Sequence, residues 1–261
     1  MASATLGPGI TVGPGIKMTA GTAYVASGLE VYYDIANPTS YSGSGATITD
    51  LSGKNNTGTI LFGKSAPSVL PTYSSSNGGY LTFNSTGNTQ FISISNTTSY
   101  STYTLSFWVY MLSYSPSGNI NTFFETGNDN STFYQQTQSN GNHLLASWNG
   151  SSSAFGNPIT TNTWYNLVVT VNPSGLTRYV NGSVDVNLAG YVANIQPGPA
   201  SGTDFTGHYI LMAGFPMTYT PGNYETRVIN GNFAQFMLYN RALTSAEVLT
   251  NFNSFRGRYG V

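Results

Sequence analysis

Several short segments with a large apolar residue at every second position constrain the fold more than any other feature of the chain. Residues 103–111 place four such side chains on one face of an extended strand: Leu105, Phe107, Val109 and Met111. Residues 164–171 repeat the pattern with Leu167, Val169 and Val171. Because successive side chains of a β-strand point to opposite faces, this period of two predicts strands with one face in a core.

Turn residues separate these segments. Asn181-Gly182 lies between residues 176–180 and 183–186, and Asn-Gly favours a type I′ hairpin turn because both of its positions have positive φ. Further strands are predicted at residues 28–34, 80–83, 91–94, 122–125, 144–148, 209–213 and 233–239. Many short strands separated by Gly, Asn, Ser and Pro indicate an all-β sandwich or barrel.

One helix is predicted, near the C-terminus. Thr244-Ser-Ala-Glu247 is a capping box, in which the threonine hydroxyl and the glutamate carboxylate each accept a hydrogen bond from the other residue's backbone N–H. The apolar residues Val248, Phe252 and Phe255 follow at helical spacing. They form one face, which is expected to pack on the strands.

The composition argues against several classes of protein. Charged residues make up 7% of the chain and the net charge is -1, so electrostatic binding to nucleic acid or to an anionic membrane is not expected. No stretch approaches the roughly 18 continuous apolar residues of a membrane span, so insertion into a membrane is not expected either. Cysteine is absent, which excludes disulfides and thiolate metal sites. The N-terminal residues also lack the uninterrupted apolar run of a signal peptide.

Five phrases in fixed order resemble a known family: Gly28-Leu-Glu-Val-Tyr-Tyr-Asp34, Asp50-Leu-Ser-Gly53, Thr163-Trp-Tyr165, Tyr179-Val-Asn-Gly182 and Tyr239-Asn-Arg-Ala-Leu-Thr-Ser-Ala-Glu247. Together they resemble a laminin-G-like, concanavalin A-like lectin domain. More narrowly, they resemble the version in structural proteins of tailed bacteriophages, where a Gly-Pro-Gly-rich leader precedes the domain and a phrase like Phe255-Arg-Gly-Arg-Tyr-Gly-Val261 ends it. The resemblance implies a jelly-roll sandwich of two antiparallel sheets over residues 28–261. It also implies sugar or protein binding on a concave sheet face or at rim loops.

Residues 1–27 are predicted to be a separate arm. Gly-Pro-Gly-Ile occurs twice, at residues 7–10 and 13–16, and proline does not fit the interior of a sheet because it lacks a backbone N–H. We expect an extended arm that docks on other virion proteins or on further copies of the chain, with the sandwich core complete from about Gly28. The alternative is a flexible linker. The expected anchors are Leu6, Ile10, Val12, Ile16 and Met18.

The sequence carries no catalytic constellation. Glucan-cleaving relatives of this fold have Glu-x-Asp-x-x-Glu on one strand, a pattern absent here. Glu125 and Asp129 would lie about 13 Å apart on an extended strand, whereas glycosidase carboxylates lie about 5–10 Å apart. The chain is therefore predicted not to be an enzyme.

Asp34 and Arg241 are expected to form a buried ion pair that closes one end of the sandwich.

One segment has the composition of a calcium site. Laminin-G-like domains often bind calcium at a rim through Asp and Asn side chains and backbone carbonyls. The resemblance therefore points to Asn128, Asp129 and Asn130 as ligands. The alternative is a simple turn, because Asn and Asp tolerate left-handed φ. No other cofactor is expected.

Aromatic residues next to amide side chains predict a glycan-binding platform, because sugars bind to aromatic faces and to planar hydrogen-bonding groups. The candidates are Trp148, Asn149, Tyr219 and Tyr224. The alternative is that these aromatics pack in the core or in a subunit contact.

Taken together, these features predict an oligomeric structural protein on the surface of a tailed-phage virion, either a fibre or a capsid-decoration component, that displays a lectin-like domain. One alternative is a receptor-binding tail-fibre adhesin that recognises host polysaccharide. Another is a carbohydrate-binding module of a secreted protein.

Overall fold

The computed structural model of the chain describes residues 16–19, 22–62, 69–84, 90–96, 98–114, 120–125, 132–137, 143–148, 153–190, 195, 208–212 and 229–261. For residues 16–19, 22, 120, 132–137, 143–148, 153–155, 208 and 210 the description covers the backbone. The strands are β1 (Ile16–Thr19), β2 (Thr22–Val25), β3 (Leu29–Asp34), β4 (Thr47–Ile48), β5 (Gly58–Phe62), β6 (Thr72–Ser74), β7 (Tyr80–Phe83), β8 (Gln90–Ser95), β9 (Tyr103–Ser113), β10 (Ile120–Glu125), β11 (Thr132–Thr137), β12 (His143–Trp148), β13 (Ser153–Gly156), β14 (Trp164–Asn172), β15 (Gly175–Val180), β16 (Ser183–Ala189), β17 (His208–Leu211) and β18 (Asn230–Tyr239). The helix is α1 (Ser245–Tyr259).

Most of these strands form two antiparallel sheets, which confirms the all-β sandwich. The far sheet has the order β13-β12-β11-β10-β17-β8-β5-β4. The helix-side sheet has the order β16-β15-β14-β9-β18-β7-β6, with β3 also paired to β18. The strands β1 and β2 form a separate two-stranded ribbon.

The alternating apolar residues of the long strands fill the space between the two sheets. Leu105, Phe107, Val109 and Met111 are all at most 2% exposed and belong to this core. The aromatic rings of Phe107 and Phe236, on neighbouring strands, lie 5.0 Å apart. The period of two in the sequence therefore predicts correctly which side chains point into the space between the two sheets.

A second apolar layer lies between the helix-side sheet and α1. The ring of Trp108 packs 5.8 Å from the ring of Phe252 and 4.2 Å from that of Tyr259. The predicted helix face is confirmed, because Val248, Phe252 and Phe255 are each at most 5% exposed. The predicted capping box is also present at Thr244.

An ion pair different from the expected one fixes the helix to the sheet. Asp34 is 2% exposed, and both of its carboxylate oxygens lie 2.9 Å from Nη1 of Arg258. The prediction that Asp34 pairs with Arg241 was therefore wrong. Arg241 instead donates to both carboxylate oxygens of Glu247, at 2.9 and 2.7 Å, because the turn before the helix places it beside the capping box. These hydrogen bonds are the main reason that the pKa of Glu247 is lowered to about 2.

The chain before Gly28 contributes to the second layer. The backbone N–H of Val25 donates to Asn251 Oδ1 at 2.9 Å, and the Tyr239 hydroxyl donates to the carbonyl of Val25 at 2.9 Å. Tyr24 is 4% exposed, and its ring stacks on that of Phe255 with centroids 6.3 Å apart. The sequence analysis expected the core to be complete from about Gly28. It is not complete there, because Tyr24 and Val25 pack against the side of the helix that faces the sheet. The boundary between arm and domain near residue 27 stays a prediction.

We predict that Arg258→Ala lowers the free energy of unfolding by about 1–3 kcal/mol, because the substitution leaves the Asp34 carboxylate buried without its cation. The loss is expected to be smaller than for a fully buried pair because the Arg258 side chain is 28% exposed. Chemical denaturation monitored by tryptophan fluorescence measures the change.

Arg256→Ala is the matched control. Arg256 and Arg258 lie on the same helix, and each guanidinium lies 5.1 Å from the centroid of a phenylalanine ring. Arg256 is exposed and donates to the O atom of Val261 rather than to a buried side-chain carboxylate, so its loss is expected to cost at most about 0.5 kcal/mol. Equal effects of the two substitutions would show that the ion pair does not fix the helix.

Candidate functional site

The outer face of the far sheet carries a strip of buried residues that the sequence analysis did not single out. Phe91 and Ser93 alternate with the core residues Ile92 and Ile94, so they lie on the opposite face of β8. Both are 2% exposed. Glu125 follows the core residue Phe124 on β10 and is 0% exposed.

Strand register brings the polar members of this strip near one another. Ser93 and Glu125 both lie opposite Ile210, one on each side of β17. Two strand spacings of about 4.8 Å place their backbones about 10 Å apart. We call Phe91, Ser93 and Glu125 the outer strip. The signal that could have revealed it was the carboxylate that ends a strand of otherwise uncharged residues, Ile120–Glu125.

The strand ends that lead into two of the predicted sites lie at the same end of the far sheet. Trp148 is the last residue of β12 and lies opposite Thr132, the first residue of β11. The connection that holds Asn128, Asp129 and Asn130 leads into Thr132, and Asn149 directly follows Trp148. These four residues lie outside the described residues. The described strands therefore bring the two candidate segments to the same end of the sheet, next to the strand that carries Glu125.

The other two glycan candidates belong to a different part of the chain. Tyr219 and Tyr224 lie outside the described residues, in the connection between Met212 and Ile229. Because β17 is antiparallel to β10, the chain leaves Leu211 in the direction away from the β10–β11 connection. The structure therefore does not place these tyrosines with Trp148, and their role stays a prediction.

The arm anchors are described in part. Leu6, Ile10 and Val12 lie outside the described residues. Ile16 and Met18 are on β1, where their backbones lie opposite Val25 and Ala23. Their role in docking stays a prediction.

Five acidic residues in the described part of the chain hold structural elements in place. Asp34 pairs with Arg258, Asp185 with Arg178 and Glu247 with Arg241. The Asp50 carboxylate accepts hydrogen bonds from the backbone N–H groups of Tyr32, Ser52 and Asn56. Glu30 accepts a hydrogen bond from Asn240 at 2.7 Å. The conspicuous Asp50-Leu-Ser-Gly53 phrase is thus explained by the turn that Asp50 organises.

Metal ligands do not cluster in the part of the chain that the structure describes, where no three His, Asp or Glu side chains come together. The calcium candidates at residues 128–130 lie outside that part, so calcium binding stays a prediction.

A buried ion pair holds the edge of the far sheet nearest to Trp148 against the helix-side sheet. Arg178 on β15 and Asp185 on β16 are 0% and 4% exposed in their side chains, and their Nε and Oδ2 atoms lie 3.2 Å apart. Burial lowers the pKa of Arg178, and Asp185 opposes that shift. From the far sheet, Asn157 donates to Asp185 Oδ1 through its side-chain amide at 2.6 Å. A Cβ atom on Gly156 would overlap the Arg178 guanidinium, so only glycine fits here.

Comparison with known proteins identifies the family. Residues 83–249 match the Laminin_G_3 family model, described as the concanavalin A-like lectin/glucanases superfamily. The chain belongs to this superfamily. A search of curated protein sequences found no match. Superfamily membership accounts for the two-sheet sandwich, while function within a fold depends on individual sites.

Solved structures show the same fold. Domain 4 of an extracellular GH43 arabinanase from Geobacillus stearothermophilus, in complex with arabinotriose, has a TM-score of 0.60 and 19% identity, covering 85% of this chain and 96% of that domain. The binding domain of the Paraclostridial Mosquitocidal Protein 1 has a TM-score of 0.57 and 19% identity, covering 87% of this chain and 52% of that one. Trypanosoma rangeli sialidase in complex with the inhibitor DANA has a TM-score of 0.53 and 15% identity, covering 91% of this chain and 35% of that one. This chain thus spans nearly all of the arabinanase domain but about half or a third of the other two.

In the part of the chain that the structure describes, α1 is neither long nor apolar enough to cross a membrane.

We predict that Gly156→Ala lowers the free energy of unfolding by about 1–3 kcal/mol, because the added methyl group displaces the buried Arg178 side chain. Urea denaturation measures the loss. Gly257→Ala is the control, because a Cβ on that helical glycine meets nothing within 4 Å. It is expected to stabilise the chain by about 0.5–1 kcal/mol. A Gly156→Ala variant as stable as the wild type would contradict the proposed role of the Arg178–Asp185 pair.

Proposed function

We propose that this chain is a non-catalytic carbohydrate-binding domain displayed on the surface of a tailed-phage virion. Glycans would bind at the end of the far sheet where Trp148 and the β10–β11 and β12–β13 connections meet. The observation that carries the proposal is that β10 and β12 end, and β11 begins, at the same end of a lectin-type sandwich, so that the segments with Asn128–Asn130 and Asn149 attach there beside Trp148. Such a surface suits neutral ligands in a chain with only 7% charged residues.

The use of the acidic residues supports a role in binding. Glycoside hydrolysis usually needs two carboxylates that are free to act on the sugar. In the described part of the chain, five carboxylates hold turns, caps and ion pairs in place. Glu125, in the outer strip, is 0% exposed, so its carboxylate does not face solvent.

The structural relatives support the same ligand class. The arabinanase domain, matched over 96% of its length, was solved in complex with arabinotriose, and its likeness to this chain is one of fold. The virion setting is proposed from the resemblance of the sequence to domains of tailed-phage structural proteins. A carbohydrate-binding module of a secreted protein fits the fold equally well, and mass spectrometry of purified particles, with copy number per capsid, separates the two.

We predict weak glycan binding, in the range of about 4–6 kcal/mol, because exposed sugars bury little apolar surface. A glycan array probed with a multimerised form of the chain, with and without calcium, detects such affinities through multivalency. Trp148→Ala is expected to reduce the signal at least tenfold. Tyr73→Ala, which removes a 36% exposed aromatic residue from the helix-side sheet, is expected to leave it unchanged. Binding to no glycan under either condition would leave a purely architectural role.

We predict that the first part of the arm, residues 2–15, docks the domain on its assembly without contributing to the sandwich. Deletion of residues 2–15 is expected to change Tm by less than about 2 °C, corresponding to about 0.5 kcal/mol, and to abolish incorporation into particles. Deletion of residues 2–27 is the contrasting variant. It is expected to lower Tm clearly, because it removes the buried Tyr24 and Val25. Normal incorporation of the shorter deletion would show that the repeated Gly-Pro-Gly-Ile has no docking role.

A further inference from the structure

Asn-Gly pairs recur in this chain, and Asn-Gly is the dipeptide in which asparagine is chemically least stable. The backbone nitrogen of the glycine attacks Cγ of the asparagine side chain, and the missing Cβ of glycine leaves that nitrogen unhindered. A C–N bond forms and ammonia leaves, which gives a five-membered succinimide. Water then opens the ring to aspartate or isoaspartate. In the described part of the chain such pairs lie at residues 77–78, 181–182 and 230–231.

Two of these pairs share one backbone conformation. Asn77 and Asn181 both have a φ of 50°, and the glycines that follow them, Gly78 and Gly182, have φ values of 83° and 76°. Asparagine and glycine tolerate this left-handed conformation better than other residues do. At the ψ of 32° found at Asn77, ring closure requires rotation about the bond between Cα and the carbonyl carbon. The rate of the reaction therefore depends on how firmly the surrounding structure holds each pair.

The pair at Asn181 is held firmly. Its side-chain Oδ1 accepts a hydrogen bond from the backbone N–H of Asn166 at 2.9 Å, and its own backbone N–H donates to the carbonyl of Asn166 at 2.9 Å. Gly182 packs under the helix, where an added Cβ would lie 2.8 Å from the Phe252 ring. Rotation of this pair would break both hydrogen bonds and disturb a buried contact.

The pair at Asn230 is held by the sheet. Gly231 lies opposite Phe83 on one neighbouring strand and opposite Met111 on the other. The Asn230 side-chain amide donates to the hydroxyl of Ser113 at 2.7 Å. Rotation here would break strand pairing on both sides of β18.

The pair at Asn77 lacks restraints of this kind. Asn77 and Gly78 are both exposed, in the short 3₁₀ turn Ser76–Gly78. Among the residues that the structure describes, none forms a hydrogen bond with the Asn77 side chain. The turn borders the end of α1, because a Cβ atom added to Gly78 would lie 3.6 Å from Cδ of Arg258.

We infer that Asn77 is a site of spontaneous deamidation in the folded chain, and that the fold protects Asn181 and Asn230 from the same reaction. The reaction needs water and no enzyme, so the modified form accumulates as the protein ages. One amide becomes one carboxylate, which changes the formal net charge from -1 to -2. The new charge arises beside Arg258, whose side chain is 28% exposed and already pairs with Asp34.

The test compares the three pairs within the same full-length chain. The folded chain is incubated at about pH 8 and 25 °C and then digested with chymotrypsin, and each deamidation is read as a mass increase of about 1 Da. Cleavage after Tyr73 and Tyr80 releases residues 74–80, in which Asn77 is the only side-chain amide. Asn77 is expected to react at least tenfold faster than Asn181 or Asn230. Incubation in urea is the control, and without the fold the three rates are expected to agree within about threefold.

Variants assign the reaction to residue 77. Asn77→Gln keeps the amide but has to close a larger ring, so the mass increase in residues 74–80 is expected to fall at least tenfold. Asn253→Gln is the matched control, because Asn253 is also exposed but precedes Ser254 and not glycine. This control is expected to leave the rate at Asn77 unchanged. The inference is refuted if Asn77 reacts as slowly as Asn181 in the folded chain, or if the difference between them persists in urea.

Discussion

The rest of the structure depends on one sheet that is apolar on both of its faces. Along β9, Phe107 points into the sandwich and Trp108 points out of it, and both are at most 1% exposed. β18 repeats this with Phe236 and Met237. An outer face of this kind needs a cover, because exposed aromatic surface of this extent favours aggregation. The helix and the strand before Gly28 provide this cover, and the Asp34–Arg258 pair fixes the helix to the sheet.

The sequence predicted local structure well wherever the chain has a strong pattern of its own. Residues 80–83 were predicted as a strand and form β7, and the capping box at Thr244 starts the helix. The strand Thr132–Thr137 was not predicted, because Thr-Phe-Tyr-Gln-Gln-Thr lacks the alternation of apolar residues. Contacts between residues far apart in the chain could not be predicted from the sequence. Arg241 precedes the helix and Arg258 lies in its last turn, and only the position of the helix on the sheet decides which of them reaches Asp34.

The candidate site could be predicted in its residue types but not in its grouping. Trp148 and residues 128–130 were chosen for separate reasons, and strand register then brought their segments to one end of a sheet. Register also places Asn232 opposite both Tyr110 and Thr82 on its two neighbouring strands, although these residues lie more than 100 positions apart in the chain. Neither Asn232 nor Tyr110 belongs to a motif, so only the register of the sheet reveals that they are neighbours.

The pairing of β3 with β18 also bears on how the chain acquires its fold. Asp34 and its partner Arg258 are separated by 224 positions, and β3 finds its described neighbour in a strand that begins at Asn230. A chain that emerges from the ribosome N-terminus first must therefore keep β3 without this partner until β18, about 200 positions later, has been synthesised. Contacts of such long range slow folding and prolong the exposure of apolar strands. The helix that covers these strands follows β18 in the chain and is therefore synthesised later still.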